Sequence, residues 1–429
     1  MKETFCPIPW NHIGIHQNGR FKICCQCIHP PFGHLTDDDK LVKIQTHTID
    51  QARNSREIKQ LRQNMLNGIK DPLCKLCWDE ESAGLNSKRN FINTVYPKIY
   101  DLAVEKTQQD GSIDTTEFPV RYFDFRFGNL CNLKCRYCGP MDSSLWYSDY
   151  YKIHKEIFGS YDDKSNSYSI VQNGNSWGID STDFEWHLDD KFWENIKEIL
   201  PFVDRFYFTG GEPMINKSHI KMLELCIEMN LAKNIAIEYN SNMVAIPDKM
   251  YDLWKEFSSV HIGCSIDAIG NLANYLRFPT DWEKVEKNLD KLGYCDLPNL
   301  SAAISTTISI FNIYHFLDII TWLQNKNYSK IYKLPHFHML MGPASMNVQI
   351  LPEDIKSDIE DKYNTFASVN TDIKFQELYG SILTFMKSKN MDVTLLQQLK
   401  DHTHKLDNLR GHTLEFELPW LNDVLNSTT

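Results

Sequence analysis

The chain has 429 residues, of which 42% are hydrophobic and 24% charged, and its formal net charge is −11 at pH 7. This composition is typical of a globular protein with two or three domains, and the acidic excess argues against broad binding to nucleic-acid phosphates. We find neither a membrane-spanning apolar run nor the apolar core of a signal peptide at the start. We therefore expect a cytoplasmic protein without nucleic-acid or membrane partners.

The first feature in chain order is a group of cysteines. Nine of the twelve cysteines precede residue 139. In a reducing compartment, grouped thiols favour metal binding over disulfides. Four of the early thiols are enough for one metal centre: Cys6, Cys24, Cys74 and Cys77. An iron–sulfur cluster, a zinc ion and reduced core thiols all remain open for this group. Cys25 is spare, and Cys27 is an alternative to Cys24.

Short β-rich runs alternate with amphipathic helical patterns from about residue 120, which predicts parallel βα units. The predicted strands cover 121–127, 205–208, 235–239, 261–266, 302–309 and 337–341. The predicted helices between them cover 192–200, 218–229, 249–257, 282–292 and 313–323. Six units are too few for a closed eight-stranded barrel. In folds of this kind the chemistry lies on loops at the carboxyl ends of the strands.

Two further stretches stand apart from this alternation. Residues 158–186 are rich in Ser, Asn, Asp, Gly and aromatic residues, and a connection this long is typical of a functional or partly disordered loop. Residues after about 345 have a mostly helical, polar pattern. We predict a cysteine-rich metal domain at 1–118, an α/β domain at 119–345 and a helical region at 346–429.

A second group of thiols follows the first predicted strand in a C-x3-C-x2-C pattern: Cys131, Cys135 and Cys138. Three thiolates leave one iron of a cubane [4Fe–4S] cluster open for a small chelating ligand. The spacing also fits three buried thiols on one helical face, and zinc binding is a further alternative. A Gly-Asn pair before the cysteines and a Gly-Pro pair after them favour a loop.

Polar motifs end the next three predicted strands. Thr209-Gly-Gly-Glu-Pro213 follows the second strand, and its glycines let the backbone approach a ligand closely. The third strand ends at Asn240, Ser241 and Asn242, and the fourth at Ser265, with Arg277 beyond it. Taken singly, the first motif is compatible with a plain turn and Ser241 with an ordinary helix N-cap.

In this order, the motifs over residues 120–310 resemble those of the radical S-adenosylmethionine (radical SAM) enzymes. The resemblance implies a partial (β/α)6 TIM-like barrel in which the three loop cysteines hold a [4Fe–4S] cluster and SAM closes its fourth iron. Reductive cleavage of SAM would then give a 5′-deoxyadenosyl radical that takes a hydrogen atom from substrate. The implied external electron donor is a protein such as flavodoxin or ferredoxin.

The resemblance also implies the SAM contacts. It places Gly210, Gly211 and Glu212 at the amino group, and Arg277 at the carboxylate through a charge-assisted fork. It places Tyr137 along the adenine. It places four polar residues at the ends of the third and fourth strands in contact with the ribose: Asn240, Ser241, Asn242 and Ser265. Asp267 is interpreted as a turn or cap residue that shapes its loop.

The N-terminal thiols resemble the twitch domain, a half-length relative of the SPASM domain that binds an auxiliary iron–sulfur cluster. Here they precede the barrel, whereas such domains mostly follow it. Relatives of this kind commonly modify ribosomally made peptides, so we expect a peptide or protein substrate. The alternatives are a sugar, nucleoside or cofactor precursor as substrate, or an iron–sulfur redox or binding protein without catalysis.

Three further side chains are weaker candidates. Cys264 ends a strand near the expected SAM pocket, where it is a candidate hydrogen-atom donor or a buried structural thiol. His336 and His338 alternate on the sixth strand and therefore share one face. They are candidates for substrate contact or for structural roles.

Overall fold

The structure is a computed structural model that describes residues 3–27, 35–37, 40–82, 86–158, 169–370 and 373–428. Its strands are β1 His12–Ile15, β2 Phe21–Lys22, β3 Thr36–Asp37, β4 Lys40–Leu41, β5 Tyr122–Phe125, β6 Ile170–Asn173, β7 Ser176–Ile179, β8 Arg205–Phe208, β9 Ala236–Ser241, β10 Ser259–Ser265, β11 Leu300–Ile308 and β12 His336–Met339.

The helices before residue 200 are α1 Ile8–Asn11, α2 Ile49–Arg53, α3 Arg56–Leu66, α4 Lys75–Ser82, α5 Lys88–Val95, α6 Ile99–Lys106, α7 Trp146–Phe158 and α8 Asp190–Ile199. Those after it are α9 Lys217–Glu228, α10 Asp248–Trp254, α11 Asn271–Leu276, α12 Trp282–Gly293, α13 Phe316–Asn325, α14 Glu353–Val369, α15 Ile373–Met386, α16 Val393–Arg410, α17 Leu414–Glu417 and α18 Pro419–Thr428.

The largest sheet has eight strands in the order β12-β11-β10-β9-β8-β5-β1-β2. Parallel pairing is seen between β1 and β5, β5 and β8, β8 and β9, and β11 and β12. All six predicted strands are present in it, as β5 and β8 to β12, and the five predicted helices lie between them. The prediction of an α/β partial barrel with a cysteine-rich N-terminal segment and C-terminal helices is therefore confirmed.

Two strands of this sheet come from the cysteine-rich segment and were not predicted. β1 adds to the sheet as a parallel neighbour of β5, with Gly14 opposite Asp124, and β2 pairs antiparallel with β1. The long connection after α7 also holds an unpredicted hairpin, in which β6 and β7 pair antiparallel. Residues 159–168 of that connection lie outside the described part of the chain.

The chain divides into two compact units. The first comprises Met1–Leu130, Ser181–Tyr239 and Lys249–Val260, and the second Cys131–Asp180, Asn240–Asp248 and His261–Thr429. This division does not follow residues 118 and 345, so the three predicted domains stay a prediction. Within the described residues, no helix is long and apolar enough to cross a membrane.

Alternation along β5 separates an aromatic face from a polar one in the first unit. Phe123 and Phe125 stack with their ring centroids 4.8 Å apart, and Phe125 stacks on Phe127 at 5.0 Å. Phe206 and Phe208 of β8 continue this aromatic layer. Since successive side chains point to opposite faces of a sheet, the residues at 122, 124 and 126 lie on the other face.

Two buried arginines fix the N-terminal segment that carries Cys6. Arg53 donates through Nη2 to the carbonyl oxygens of Trp10 and Phe118. Arg62 donates through Nε and Nη2 to the carbonyl of Pro9, at 2.9 and 2.6 Å. Buried guanidinium groups are costly unless they are hydrogen-bonded, so these contacts specify the path of the chain around α1.

Candidate active site and cysteine centres

The cysteine loop, residues 131–138, belongs to the second unit except for its connection to β5. The Cys135 thiol is buried, and Cys138 N donates to Cys135 O at 3.1 Å. Asn242 Nδ2 lies 3.9 Å from Cys131 Sγ, and Arg277 Nη1 lies 3.9 Å from Cys135 Sγ. Two residues that the sequence assigned to SAM therefore lie beside the cysteines in this unit.

The pKa values of two thiols of this loop, Cys135 and Cys138, shift in opposite directions. A hydrogen bond from the Cys138 thiol lowers the pKa of Cys135 against the opposing effect of burial, and the charge of Arg277 assists. Donating that hydrogen bond, together with burial, raises the pKa of Cys138. Iron is ligated by thiolate, so cations beside these sulfurs suit a cluster-binding loop.

Asp267 is the centre of a hydrogen-bonding network beneath the loop. Its fully buried carboxylate accepts from Arg277 Nε and from the Tyr137 hydroxyl. Thr307 N donates to its Oδ1 at 2.7 Å, and Asn312 Nδ2 donates to its carbonyl oxygen at 2.9 Å. Burial raises the pKa of Asp267, while the charge of Arg277 opposes that rise.

This network enlarges the role that the sequence suggested for Asp267. We interpreted it as a turn residue, yet it orients both Arg277 and Tyr137, the two side chains assigned to the SAM carboxylate and adenine. The available signal was its position two residues past the carboxyl end of β10. The roles of Arg277 and Tyr137 toward SAM stay predictions.

The Gly-Gly-Glu turn, residues 210–212, lies in the first unit. Gly210 and Gly211 have φ values of +74° and +59°. Glu212 N donates to Leu130 O at 2.8 Å, so the turn is held by the residue that directly precedes Cys131. The Glu212 carboxylate is buried and accepts from Met214 N at 3.0 Å. Its predicted contact with the SAM amino group stays a prediction.

Replacing Gly211 with alanine should destabilise this turn. A Cβ there would lie 2.5 Å from Leu130 O, a backbone atom that cannot rotate away. Gly411 is the matched control, because its φ is +70° in the left-handed region and no atom lies within 4 Å of an added Cβ. We expect G411A to lose roughly 1 kcal/mol in urea unfolding, and G211A at least twice as much. Equal losses would show that the contact with Leu130 is unimportant.

The other predicted SAM residues lie at the ends of β9 and β10. Asn242 Nδ2 donates to Asn132 Oδ1 at 2.7 Å, which joins the end of β9 to the cysteine loop. Ser241 is buried, and its Oγ accepts from Met243 N at 3.3 Å, as a local cap does. Asn240 and Ser265 are half-buried. These geometries leave their predicted ribose contacts as predictions.

The three weaker candidates differ in how far their side chains are exposed to solvent. Cys264 is fully buried, its thiol lies 3.8 Å from Ile262 O, and burial raises its pKa. His336 and His338 share one face of β12 and are exposed. Nothing further in the structure assigns a substrate role to these three residues.

The four N-terminal thiols meet in the first unit. One cavity is lined by all four of them: Cys6, Cys24, Cys74 and Cys77. Its wall also includes Ile23, Leu73, Lys88 and Arg89. Among the described residues, no three metal-ligating side chains surround a single-ion position. The thiols therefore line a shared cavity with two cations in its wall.

The protonation of these thiols is uneven. Burial raises the pKa of Cys6 and Cys74, and raises that of Cys77 to about 11. A hydrogen bond from the Cys27 thiol lowers the pKa of Cys24 to about 7 against the effect of burial. Cys27 is thus a partner of Cys24, a role that the sequence did not assign to it.

Cys24 should be the first of these four thiols to react with iodoacetamide in metal-free protein at neutral pH. Thiolate is the reactive form, and its fraction at Cys24 rises as the pH increases through about 7. Peptide mass spectrometry after brief labelling at pH 6 and pH 8 measures this. Faster labelling of Cys77, or no increase at Cys24 between the two pH values, would contradict the assignment.

A polar cluster that the sequence analysis missed lies on the face of β5 that carries residues 122, 124 and 126. Asp124 is buried, and its Oδ1 has no hydrogen-bond partner among the described residues, with Arg126 Nε 3.7 Å away. Gly14 lies beside it, since a Cβ there would be 3.6 Å from Asp124 Cβ. The alternation of polar residues with Phe123, Phe125 and Phe127 was the available signal.

Neighbouring strands extend this cluster within the first unit. Arg205 Nη1 donates to Glu238, while Arg205 Nε is buried without a partner among the described residues. Lys88 Nζ lies 3.7 Å from Glu238 Oε2 and 5.3 Å from the Tyr122 ring centroid. Burial raises the pKa of the nearby Cys25 thiol to about 12. The face therefore carries one acceptor, Asp124 Oδ1, and one donor, Arg205 Nε, that lack a hydrogen-bond partner within the described part of the chain.

Residues 125–323 match the model of the Radical SAM superfamily. The match includes the cysteine loop, the Gly-Gly-Glu turn and strands β8 to β11. No curated protein sequence matches the chain.

Solved structures with similarity to the chain include native anSMEcpe with bound AdoMet and Cp18Cys peptide, at 15% identity and a TM-score of 0.36, over 66% of each chain. Streptococcus suis SuiB bound to precursor peptide SuiA matches at 10% identity and a TM-score of 0.33, over 80% of this chain and 66% of that chain. The chain thus spans about two thirds of the length of these structures.

Proposed function

We propose that this protein is a radical SAM enzyme that cleaves SAM reductively and abstracts a hydrogen atom from a peptide or protein substrate. The observation that carries the proposal is the cysteine loop itself. Its three thiols follow β5 within the residues that match the Radical SAM superfamily, and the Arg277 guanidinium lies beside Cys135. Thiolates and a nearby cation are the groups that an anionic iron–sulfur cluster requires.

In this proposal Cys131, Cys135 and Cys138 ligate a [4Fe–4S] cluster. When bound, that group supplies one electron to SAM, which gives methionine and a 5′-deoxyadenosyl radical. Asp267 holds the Nε side of Arg277 and leaves its Nη edge toward the cysteines, an orientation suited to a carboxylate ligand. An external protein such as flavodoxin or ferredoxin would deliver the electron.

We also propose an auxiliary iron–sulfur cluster in the N-terminal cavity, held by Cys6, Cys24, Cys74 and Cys77. Four thiols suit iron or zinc, and the cations in the wall, Lys88 and Arg89, favour the more anionic group. Apolar side chains complete the lining and would limit access of water. Zinc in this cavity would leave the catalytic proposal intact.

The polar cluster around Asp124 supports a peptide substrate. Asp124 Oδ1 and Arg205 Nε, which lack a hydrogen-bond partner among the described residues, would each gain a hydrogen bond from a peptide, whose amides offer both a donor and an acceptor. Buried polar atoms without partners are costly, so a ligand that pairs them gains binding free energy. Sugar hydroxyls also both donate and accept hydrogen bonds. Sugars and nucleosides are therefore the competing substrates in the test.

The test incubates anaerobically reconstituted protein with SAM, dithionite and short peptides encoded near its gene, and in parallel with sugars and nucleosides. We expect a peptide mass change that is coupled to 5′-deoxyadenosine. Substituting D124N should reduce the coupled reaction at least tenfold, while D79N, at an exposed carboxylate, should not. Deoxyadenosine without peptide modification, alongside a modified sugar or nucleoside, would overturn the peptide assignment.

A further inference from the structure

The C-terminal helix α16 packs against the cysteine loop in the second unit. Leu406 of α16 forms a buried cluster with Trp146 and Ile153 of α7, and Cys138 packs against that cluster. Trp146 Nε1 donates to Cys135 O at 3.0 Å. The helix therefore reaches the loop through direct apolar packing and through Trp146.

One ion pair joins α16 to Arg136, which lies between the second and third cysteines. Arg136 is buried, and its Nη2 donates to Asp407 of α16. Its Nε donates to Tyr275 O at 2.8 Å, and its Cζ lies 3.5 Å from the Tyr275 ring centroid. The Tyr275 hydroxyl also donates to Asp407, at 3.2 Å. Asp407 thus fixes the direction of the loop between Cys135 and Cys138.

A second ion pair acts between the first and second cysteines. Lys134 Nζ lies 2.8 Å from Asp149 Oδ1, and Arg410 Nε donates to Asp149 Oδ2 at 3.0 Å. Asp149 is buried. Both basic residues of the loop are therefore paired with carboxylates. Arg136 pairs with Asp407 of α16, and Lys134 pairs with Asp149, which also accepts from Arg410 of α16.

Arg410 has more donors than these contacts use. Its side chain is fully buried, and neither Nη1 nor Nη2 has a hydrogen-bond partner among the described residues. Its Cζ lies 4.7 Å from the Trp146 ring centroid, which places the charge next to the indole that binds Cys135 O. A buried cation in excess of its hydrogen bonds fits an anionic group at the loop.

We infer that Asp407 and Arg410 of α16 are positioning residues of the catalytic cluster, and that the Arg410 charge stabilises its reduced, more negative form. The inference rests on the proposed function, because it assumes a cluster on the three loop cysteines. Asp407 acts on that cluster through Arg136, and Arg410 acts through Asp149 and through its own charge. The reduction potential of the cluster would then depend on a helix about 270 residues from the loop in sequence.

The test is an EPR-monitored redox titration of the SAM-responsive cluster in full-length reconstituted variants. Substituting R410Q removes a positive charge and should shift the reduction potential to a more negative value, whereas R410K should stay close to wild type. Substituting D149N removes a negative charge and should shift the potential in the opposite direction. General damage to the fold does not produce shifts of opposite sign.

The matched control is L396A. Leu396 is buried on the same helix, about 20 Å from Arg410 along the helix axis. This variant should lose stability and keep the wild-type potential. If R410Q does not fold, the comparison of D149N with L396A decides the question.

Wild-type potentials in both R410Q and D149N, or in D149N alone where R410Q cannot be measured, would overturn the inference. A wild-type protein without any SAM-responsive cluster would instead refute the proposed function. The two failures are therefore distinguishable.

Discussion

Replacing Cys131, Cys135 and Cys138 together with alanine should abolish the production of 5′-deoxyadenosine from SAM. These thiols are the proposed ligands of the catalytic cluster, and an iron–sulfur cluster is not retained without its thiolates. The N-terminal thiols lie elsewhere in the sequence and should keep their own metal, so iron should fall to about half of the wild-type amount. Liquid chromatography of the nucleoside product and iron analysis measure both effects.

The matched control for this variant is C226A, which removes a fully buried thiol of α9. It should keep both the iron and the SAM cleavage. A triple variant that still makes 5′-deoxyadenosine would refute the assignment of the catalytic site, whatever its iron content.

Substituting Asp267 with asparagine should give the largest loss of stability among single changes near the loop. The change leaves the half-buried charge of Arg277 without its carboxylate partner, and breaking a buried ion pair typically costs about 3 to 5 kcal/mol. Urea unfolding measures this loss. The affinity for SAM should fall as well, because Arg277 and Tyr137 both lose the group that orients them.

An exposed ion pair provides the comparison for D267N. Asp252 pairs with Lys255 at 3.0 Å on the surface, and D252N should cost less than about 1 kcal/mol. Similar losses in the two variants would mean that Asp267 is a simple turn residue, as its sequence position first suggested.

The repeating strands were predictable because their signals are local. The runs that became β8 and β10 are short, rich in β-forming residues and followed by helical patterns, so their ends were predicted within about two residues. β1 and β2 gave no such signal. They have four and two residues, and β1 pairs with β5 across more than a hundred residues of sequence.

In the candidate site, too, the local features were predictable from the sequence and the long-range contacts were not. The spacing of Cys131, Cys135 and Cys138 is a local pattern that any reading of the sequence can detect. The partners that hold the loop are far away along the chain: Asp407 is 271 residues from Arg136, and Arg410 is 261 residues from Asp149. No spacing rule connects an acid and a base over that distance, and only the packing of α16 brings them together.

The most direct test of the central claim is anaerobic iron and sulfide analysis combined with EPR spectroscopy, with and without SAM. We predict about eight irons per chain and one reduced cluster signal that changes on addition of SAM, as expected for an open iron site beside a fully ligated auxiliary cluster. Iron–sulfur signals that show no response to SAM would contradict the account and leave a redox or binding protein.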